Sequence, residues 1–309
     1  MTVPSLAGRD FLSMADLSRD EVMQLLDLAV QLKAGEVRPQ CRKILGLLFS
    51  KASTRTRVSF SAAMYQLGGQ VLDLNTNVTQ VNRGEPTQDT ARVLDRYLDA
   101  LAIRTYAQSE LETFAHYAKS PIINALTDLE HPCQILADLL TVKEAFGALS
   151  GLTLAYLGDG NNVAHSLMLG CALVGMNIVV AAPEGYQPAP EMVTQAQALA
   201  GDRARVEVTT EPMDAVKGAQ VLYTDVWASM GQEDSASNRV PVFQPYQVNA
   251  DLLQYASQDA IVLHCLPAHR GEEITDEVME GPHSRIWDEA ENRLHAQKAL
   301  LVALLEAQL

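Results

Sequence analysis

Cysteine is scarce in this chain and never closely paired: Cys41, Cys133, Cys171 and Cys265 stand far apart and form no Cys-x-x-Cys. A chain of 309 residues has no need of disulfide staples, so the four thiols fit a reducing cytosol. Positive charge is also short, with 23 Lys and Arg against 38 Asp and Glu and a formal charge of −15. That balance argues against a nucleic-acid or membrane-surface partner, each of which needs a basic face. No apolar run approaches the roughly 18 residues of a membrane-spanning helix. The start, Met1-Thr2-Val3-Pro4-Ser5, has neither a signal-peptide core nor an Arg-rich transit segment. A cytoplasmic chain of bacterial type is the expectation. Internal repeats, low-complexity tracts and long linkers are absent too. What is present is apolar bulk: at 48% hydrophobic the 309 residues bury a sizeable core, and the length suggests two domains of about 150 residues.

The patterning is that of an α/β chain. Ser18 followed by Glu21, with Val22, Leu25, Leu26 and Val30 on one face, predicts a capped amphipathic helix from Ser18 to Lys33. Strand-like runs follow at Ile44 to Phe49, Gln70 to Leu74, Ala100 to Ile103 and Pro121 to Asn124, with helical stretches between them. A helix from about Pro132 to Phe146 leads to a second series of strands: Thr153 to Leu157, Asn177 to Ala181, Val206 to Thr209, Val221 to Thr224 and Ala260 to His264. The reading is two doubly wound parallel-sheet domains linked by helices, 1–148 and 149–291, with a helical stretch from Asn292 to Leu309.

Between the first strand and the helix expected from Val58 lies Ser53-Thr54-Arg55-Thr56-Arg57, two guanidinium groups and three hydroxyls in five residues. Free N–H groups at a helix start, the helix dipole and hydroxyls hold phosphoryl oxygens, and Arg adds planar charged forks. An ordinary N-cap at Ser53 or Thr54 with two solvated arginines accounts for the same residues. Spacing alone leaves both open.

The segment resembles the phosphate-binding signature of aspartate and ornithine carbamoyltransferases, and further matches follow in that family's order. They are Ile103-Arg104-Thr105, Leu129-Glu130-His131-Pro132-Cys133-Gln134, Gly158-Asp159-Gly160-Asn161-Asn162, Asp225-Val226-Trp227-Ala228-Ser229-Met230-Gly231, His264-Cys265-Leu266-Pro267 and Glu291-Asn292-Arg293. The Asp-x-Trp-x-Ser-Met-Gly and His-Cys-Leu-Pro runs resemble the ornithine branch. The resemblance implies transfer of a carbamoyl group from carbamoyl phosphate to the side-chain amine of L-ornithine, giving L-citrulline and phosphate. It implies a carbamoyl phosphate-binding first domain joined by the C-terminal helix 292–309, and an ornithine-binding second domain. Neither a metal nor another cofactor is implied, and a homotrimer or multiple of trimers is.

By the same resemblance, Ser53, Thr54, Arg55, Thr56 and Arg104 hold the phosphate. Thr56, Arg104 and His131 face the carbamoyl oxygen, Gln134 and the carbonyls of Cys265 or Leu266 the carbamoyl amino group, and Arg293 touches the same ligand. Gln80 completes the site of a neighbouring subunit. Asn162, Asp225, Ser229 and Met230 hold ornithine's α-amino and carboxylate groups, and Cys265 helps orient and deprotonate the attacking amine. Arg55, Arg104, His131 and Cys265 are the catalytic set, and Leu266-Pro267 matches the family's cis bond. The negative net charge is no obstacle, because charges beyond about 8 Å are largely screened and Arg55, Arg57, Arg104 and Arg293 dominate locally.

Several residues carry other readings. Gly158-Asp159-Gly160 follows a strand and precedes a helix like a dinucleotide fingerprint, but Val163 stands at the third glycine's place and a tight turn explains both glycines. Asp225 at a strand end either pairs with a substrate ammonium or caps the next turn. Neighbouring strand residues face opposite ways, so His264 is badly placed to activate Cys265. His264 and His269 lack a third metal ligand at a useful spacing. The family's first glycine after its second strand is Asn82 here, and Asn tolerates the left-handed conformation. The rival functions are carbamoylation of another amine such as putrescine or N-acetylornithine, an NAD-binding dehydrogenase, and a carbamoyl phosphate sensor without turnover.

Overall fold

A computed structural model describes residues 4–75, 84–228 and 236–308. The chain divides into two compact units, Met1–Leu140 with Asn292–Leu309, and Thr141–Glu291. The first contains α1 (Arg19–Ala34), β1 (Ile44–Phe49), α2 (Thr54–Gln66), β2 (Gln70–Asn75), α3 (Thr87–Leu94), β3 (Ala100–Arg104), α4 (Gln108–Tyr117), β4 (Ile122–Leu126) and the start of α5 (Pro132–Phe146). Helix α1 begins as expected, with Ser18 and Glu21 making reciprocal capping bonds, and it ends at Gly35 in the left-handed conformation.

The four strands form a parallel sheet in the order β2-β1-β3-β4. β3 and β4 are buried throughout and β1 nearly so, the pattern of parallel strands covered on both faces. β2 is an edge strand with no fully buried residue. The opposite edge is covered by the chain's own start: Phe11 donates to the Ile122 carbonyl and accepts from Asn124 N–H, both at 2.8 Å. One boundary differs from expectation. Helix α2 starts at Thr54 rather than Val58, because Ser53 is extended (φ −159°, ψ 109°) and serves as its N-cap, so Arg55, Thr56 and Arg57 form the first turn itself.

The second unit contains β5 (Thr153–Leu157), α6 (Asn162–Val174), β6 (Asn177–Ala181), α7 (Pro190–Ala200), β7 (Val206–Thr209), α8 (Pro212–Val216), β8 (Val221–Thr224), α9 (Ala236–Phe243), α10 (Ala250–Leu253), β9 (Ile261–His264) and α11 (Asp276–Met279). Its strands pair in parallel in the order β7-β6-β5-β8-β9. Leu157, Leu222, Val262, Val278 and Ile286 belong to one apolar cluster on this sheet. The last helix, α12 (Ile286–Leu304), starts in the second unit, and its stretch from Asn292 belongs to the first. There Gln297 accepts from the Ser59 hydroxyl at 2.5 Å and Lys298 donates to Gln66 at 2.8 Å. Among the described residues no helix is long and apolar enough to cross a membrane.

The turn after β5 depends on two glycines. Gly158 has φ +140°, and a Cβ on Gly160 would fall 2.2 Å from Pro188 N, a backbone atom that cannot swing aside. Gly160→Ala is expected to cost about 1–3 kcal/mol through overpacking. That lowers the thermal midpoint of the second unit by at least about 3 °C. A variant melting with the parent would contradict this close approach.

Candidate functional site

In each unit the strand order reverses at a central strand, β1 flanked by β2 and β3 in the first and β5 flanked by β6 and β8 in the second. Ligands of open parallel sheets gather outside the carboxyl ends of strands at such switch points. Ser53 to Thr56 follow β1, Arg104 ends β3 beside Phe49, and His131 follows β4. Gly158 to Asn162 follow β5, Asp225 follows β8 and Cys265 follows β9. Topology alone therefore gathers these sequence-predicted residues into one group at the strand ends of each sheet.

The first group is cationic and largely buried. Thr56, Arg104, His131, Gln134 and Arg293 are all under 9% exposed, whereas Ser53 and Arg55 are half-buried and Thr54 is exposed. Ser53, although at the N-cap, makes no capping bond with its side chain; its hydroxyl accepts from Arg104 Nη1 at 3.4 Å. Ser53 is therefore not an ordinary side-chain cap. Arg293 donates to Thr56 Oγ1 at 2.9 Å and to Gln134 Oε1, and Gln134 Nε2 donates to Asp138 at 2.8 Å. Arg57 departs from the expected charge cluster: it pairs with Asp73 on β2 and lies over the Phe49 ring, 5.0 Å from its centroid.

Burial holds the His131 imidazole well below its ordinary value near 6.5, and the guanidiniums of Arg293, Arg104 and Arg55 push in the same direction. The ring is neutral at physiological pH, with one N–H to give. The neighbouring Cys133 thiol is pushed up to about 12 by burial, so it is a core thiol and no nucleophile.

The second group is acidic. Asp225 Oδ2 accepts from Asn161 Nδ2 at 2.8 Å, and its Oδ1 accepts from Val226 N–H at 2.8 Å and from the Cys265 thiol at 3.0 Å. The His264 ring lies beside this group, contrary to what strand alternation predicts, but its hydrogen bonds go elsewhere. Its Nδ1 accepts from Leu266 N–H at 2.9 Å, so its Nε2 carries the proton and donates to buried Glu273 at 3.0 Å. Asp225, His264 and Cys265 bring potential metal-ligand atoms within 4.8 Å of one another, but both His264 nitrogens are already engaged. Leu266 has φ 59° and precedes a cis bond to Pro267. Val163, at the dinucleotide fingerprint's third position, is buried in α6.

Residues 9–144 match the family model described as the carbamoyl-P binding domain of aspartate/ornithine carbamoyltransferase, and residues 150–304 match its Asp/Orn binding domain. The chain belongs to the aspartate/ornithine carbamoyltransferase family. It is 68% identical over 304 residues to a protein of Nostoc punctiforme named ornithine carbamoyltransferase, covering 98% of this chain and 99% of that one. A Synechocystis protein of the same name is 68% identical over 305 residues, covering 99% of each. The crystal structure of the Gloeobacter violaceus ornithine carbamoyltransferase superposes with a TM-score of 0.88 at 61% identity, over 96% of this chain and 98% of that one. The ornithine carbamoyltransferase of Pyrococcus furiosus gives 0.94 at 48% identity, over 98% and 99%.

In this carbamoyltransferase-family chain, the cationic residues from Ser53 to Gln134 lie within the stretch matched to the carbamoyl-P binding domain, and those from Asn161 to Leu266 within the other. Arg293 falls in the second match by sequence but belongs to the first unit by packing. Gln80, Ser229 and Met230 lie outside the described residues. Sequence reasoning missed Asn161, Glu273 and Arg239. Arg239 donates to Asp159 at 2.8 Å and to the Trp227 carbonyl at 2.7 Å, and burial nevertheless raises the Asp159 carboxyl. Only Asn161 carried a signal, as an Asn directly ahead of a helix.

The state of His131 has a measurable consequence. An unfolded histidine takes up a proton below about 6.5 while the folded ring stays neutral, so acidification through that range disfavours folding until the pH passes the folded-state value. Ring ¹⁵N shifts of His131 in the ligand-free chain are expected to report a neutral imidazole at about pH 6. Titration of that ring near its ordinary value would contradict the buried cationic surroundings.

Proposed function

We propose that the chain is an enzyme that transfers the carbamoyl group of carbamoyl phosphate to the side-chain amine of L-ornithine, releasing L-citrulline and phosphate. One observation carries the reading: a neutral His131 set among three guanidiniums in one unit, with a hydrogen-bonded carboxylate, Asp225, beside a thiol in the other. Relatives named ornithine carbamoyltransferase that match nearly the whole chain support it.

The phosphoryl oxygens go to Ser53, Thr54, Arg55 and Thr56 with Arg104. The carbamoyl oxygen, which gains negative charge as the carbon becomes tetrahedral, takes N–H bonds from neutral His131 and Arg104 and the Thr56 hydroxyl. Gln134 and the carbonyls of Cys265 or Leu266 serve the carbamoyl amino group. Thr56 and Gln134 are both held by Arg293, so Arg293 orients these groups in addition to any direct touch on the ligand. Asp225 pairs with ornithine's α-ammonium and Asn162 with its carboxylate; Ser229 and Met230 belong to the same grip.

The reacting amine, like that of lysine, has a pKa near about 10.4 and attacks only when neutral. Asp225 and Cys265 align it. Its nitrogen forms the new bond to the carbamoyl carbon, the carbon–oxygen bond to phosphate breaks, and the departing phosphate takes the surplus proton. Alignment and charge stabilisation supply the rate. A homotrimer in which Gln80 reaches a neighbouring copy's site, and a cytoplasmic location, belong to the same proposal.

Citrulline formation from carbamoyl phosphate, assayed with L-ornithine, putrescine and N-acetylornithine in parallel, is expected with ornithine alone. Carbamoylation of another amine with silence on ornithine would overturn the reading of Asp225. Arg55→Ala should cut kcat/KM more than about tenfold, or 1.4 kcal/mol of barrier. A variant above a tenth of parental activity would remove Arg55 from the mechanism.

A further inference from the structure

Asn161 is assigned to neither substrate, yet its neighbours dictate where each end of its amide points. Its Oδ1 caps α6, accepting from Val163 N–H at 2.9 Å and Ala164 N–H at 3.3 Å, and the Tyr156 hydroxyl lies 3.3 Å from the same oxygen. These donors identify the oxygen without ambiguity and turn the amide nitrogen the other way. There it donates to Asp225 Oδ2 at 2.8 Å.

The carboxylate needs such a hold. The χ2 torsion of an aspartate is broad and two-fold, so the carboxylate plane is only weakly set by its own side chain. Val226 N–H and the Cys265 thiol both bond to Oδ1, which fixes one corner and leaves rotation about it. The Asn161 donor on Oδ2 fixes the second corner and hence the plane. We infer that Asn161 is a positioning residue for the amino-acid substrate: through its N–H bond to Oδ2 it sets the direction in which Asp225 presents its charge to the α-ammonium. The inference rests on the proposed role of Asp225.

Helix capping and positioning separate by substitution. Serine caps helices as well as asparagine does, but offers no amide N–H to Asp225. L-Norvaline is a suitable probe because it keeps ornithine's α-ammonium and carboxylate and lacks the reacting amine, so its affinity does not depend on turnover. With the full-length chain saturated in carbamoyl phosphate, Asn161→Ser is expected to weaken norvaline binding at least about tenfold, the scale of a lost hydrogen bond to a charged group. Carbamoyl phosphate affinity should stay within about twofold of the parent, since the substitution lies in the other unit. In an Asp225→Ala background, Asn161→Ser should add less than about a further twofold, because the group it positions is gone.

A norvaline affinity changed less than tenfold by Asn161→Ser, while Asp225→Ala weakens binding more than tenfold, would overturn the inference alone. Its full factor persisting in the Asp225→Ala background would do the same, assigning the loss to the helix cap. Unchanged norvaline affinity in Asp225→Ala would overturn the reading of Asp225 and this inference with it.

Discussion

One guanidinium, that of Arg293, ties together three segments that are far apart in the chain. It reaches from α12 to Thr56 in the first turn of α2 and to Gln134 in the first turn of α5, and it is 2% exposed. Burying such a charge is costly unless it is well hydrogen-bonded, and Thr56 and Gln134 both accept from it. Its positive charge is also felt at His131, where Arg293 is the foremost of the charged groups holding the imidazole neutral. The bonds from Ser59 to Gln297 and from Lys298 to Gln66 hold the helix that carries it against α2. If Arg293 were withdrawn, Thr56 and Gln134 would lose their common donor and His131 the strongest of its cationic neighbours.

The fold makes that arrangement possible by bringing strand ends together. Parallel pairing puts Phe49 in register with Arg104, so the start of α2 and the end of β3 meet without any long loop. In the second unit the same rule sets β5 beside β8 and β8 beside β9, which brings Asn161 and Cys265, 104 positions apart in sequence, each within hydrogen-bond distance of Asp225. The chemistry of the two groups is opposite in sign, cationic in the first and acidic in the second. A phosphorylated donor and an aminated acceptor call for that division.

Much of this was legible in the residues. The strands announced themselves as short apolar runs bounded by polar or glycine-containing turns, and all nine appear within two residues of expectation. The capping box at Ser18 and Glu21 is local and was readable as such. The start of α2 was not, because Ser53 and Thr54 are both competent caps and only backbone geometry separates them. Nor was the diversion of Arg57 to Asp73, which depends on how α2 lies over β2. The Asn161 bond to Asp225 joins residues 64 apart, and the direction of an amide is a property of its surroundings that spacing does not encode. Resemblance to a family named Asn162 and Asp225; the local physics of the cap brought Asn161 into view.

The account stands most directly on the claim that the buried cationic group of the first unit holds a phosphorylated ligand by itself. Calorimetric titration of carbamoyl phosphate into the purified chain with no amine present tests it. Saturable binding of one ligand per chain, displaced by inorganic phosphate, is the predicted result. An absence of saturable heat, or binding indifferent to phosphate, would contradict it.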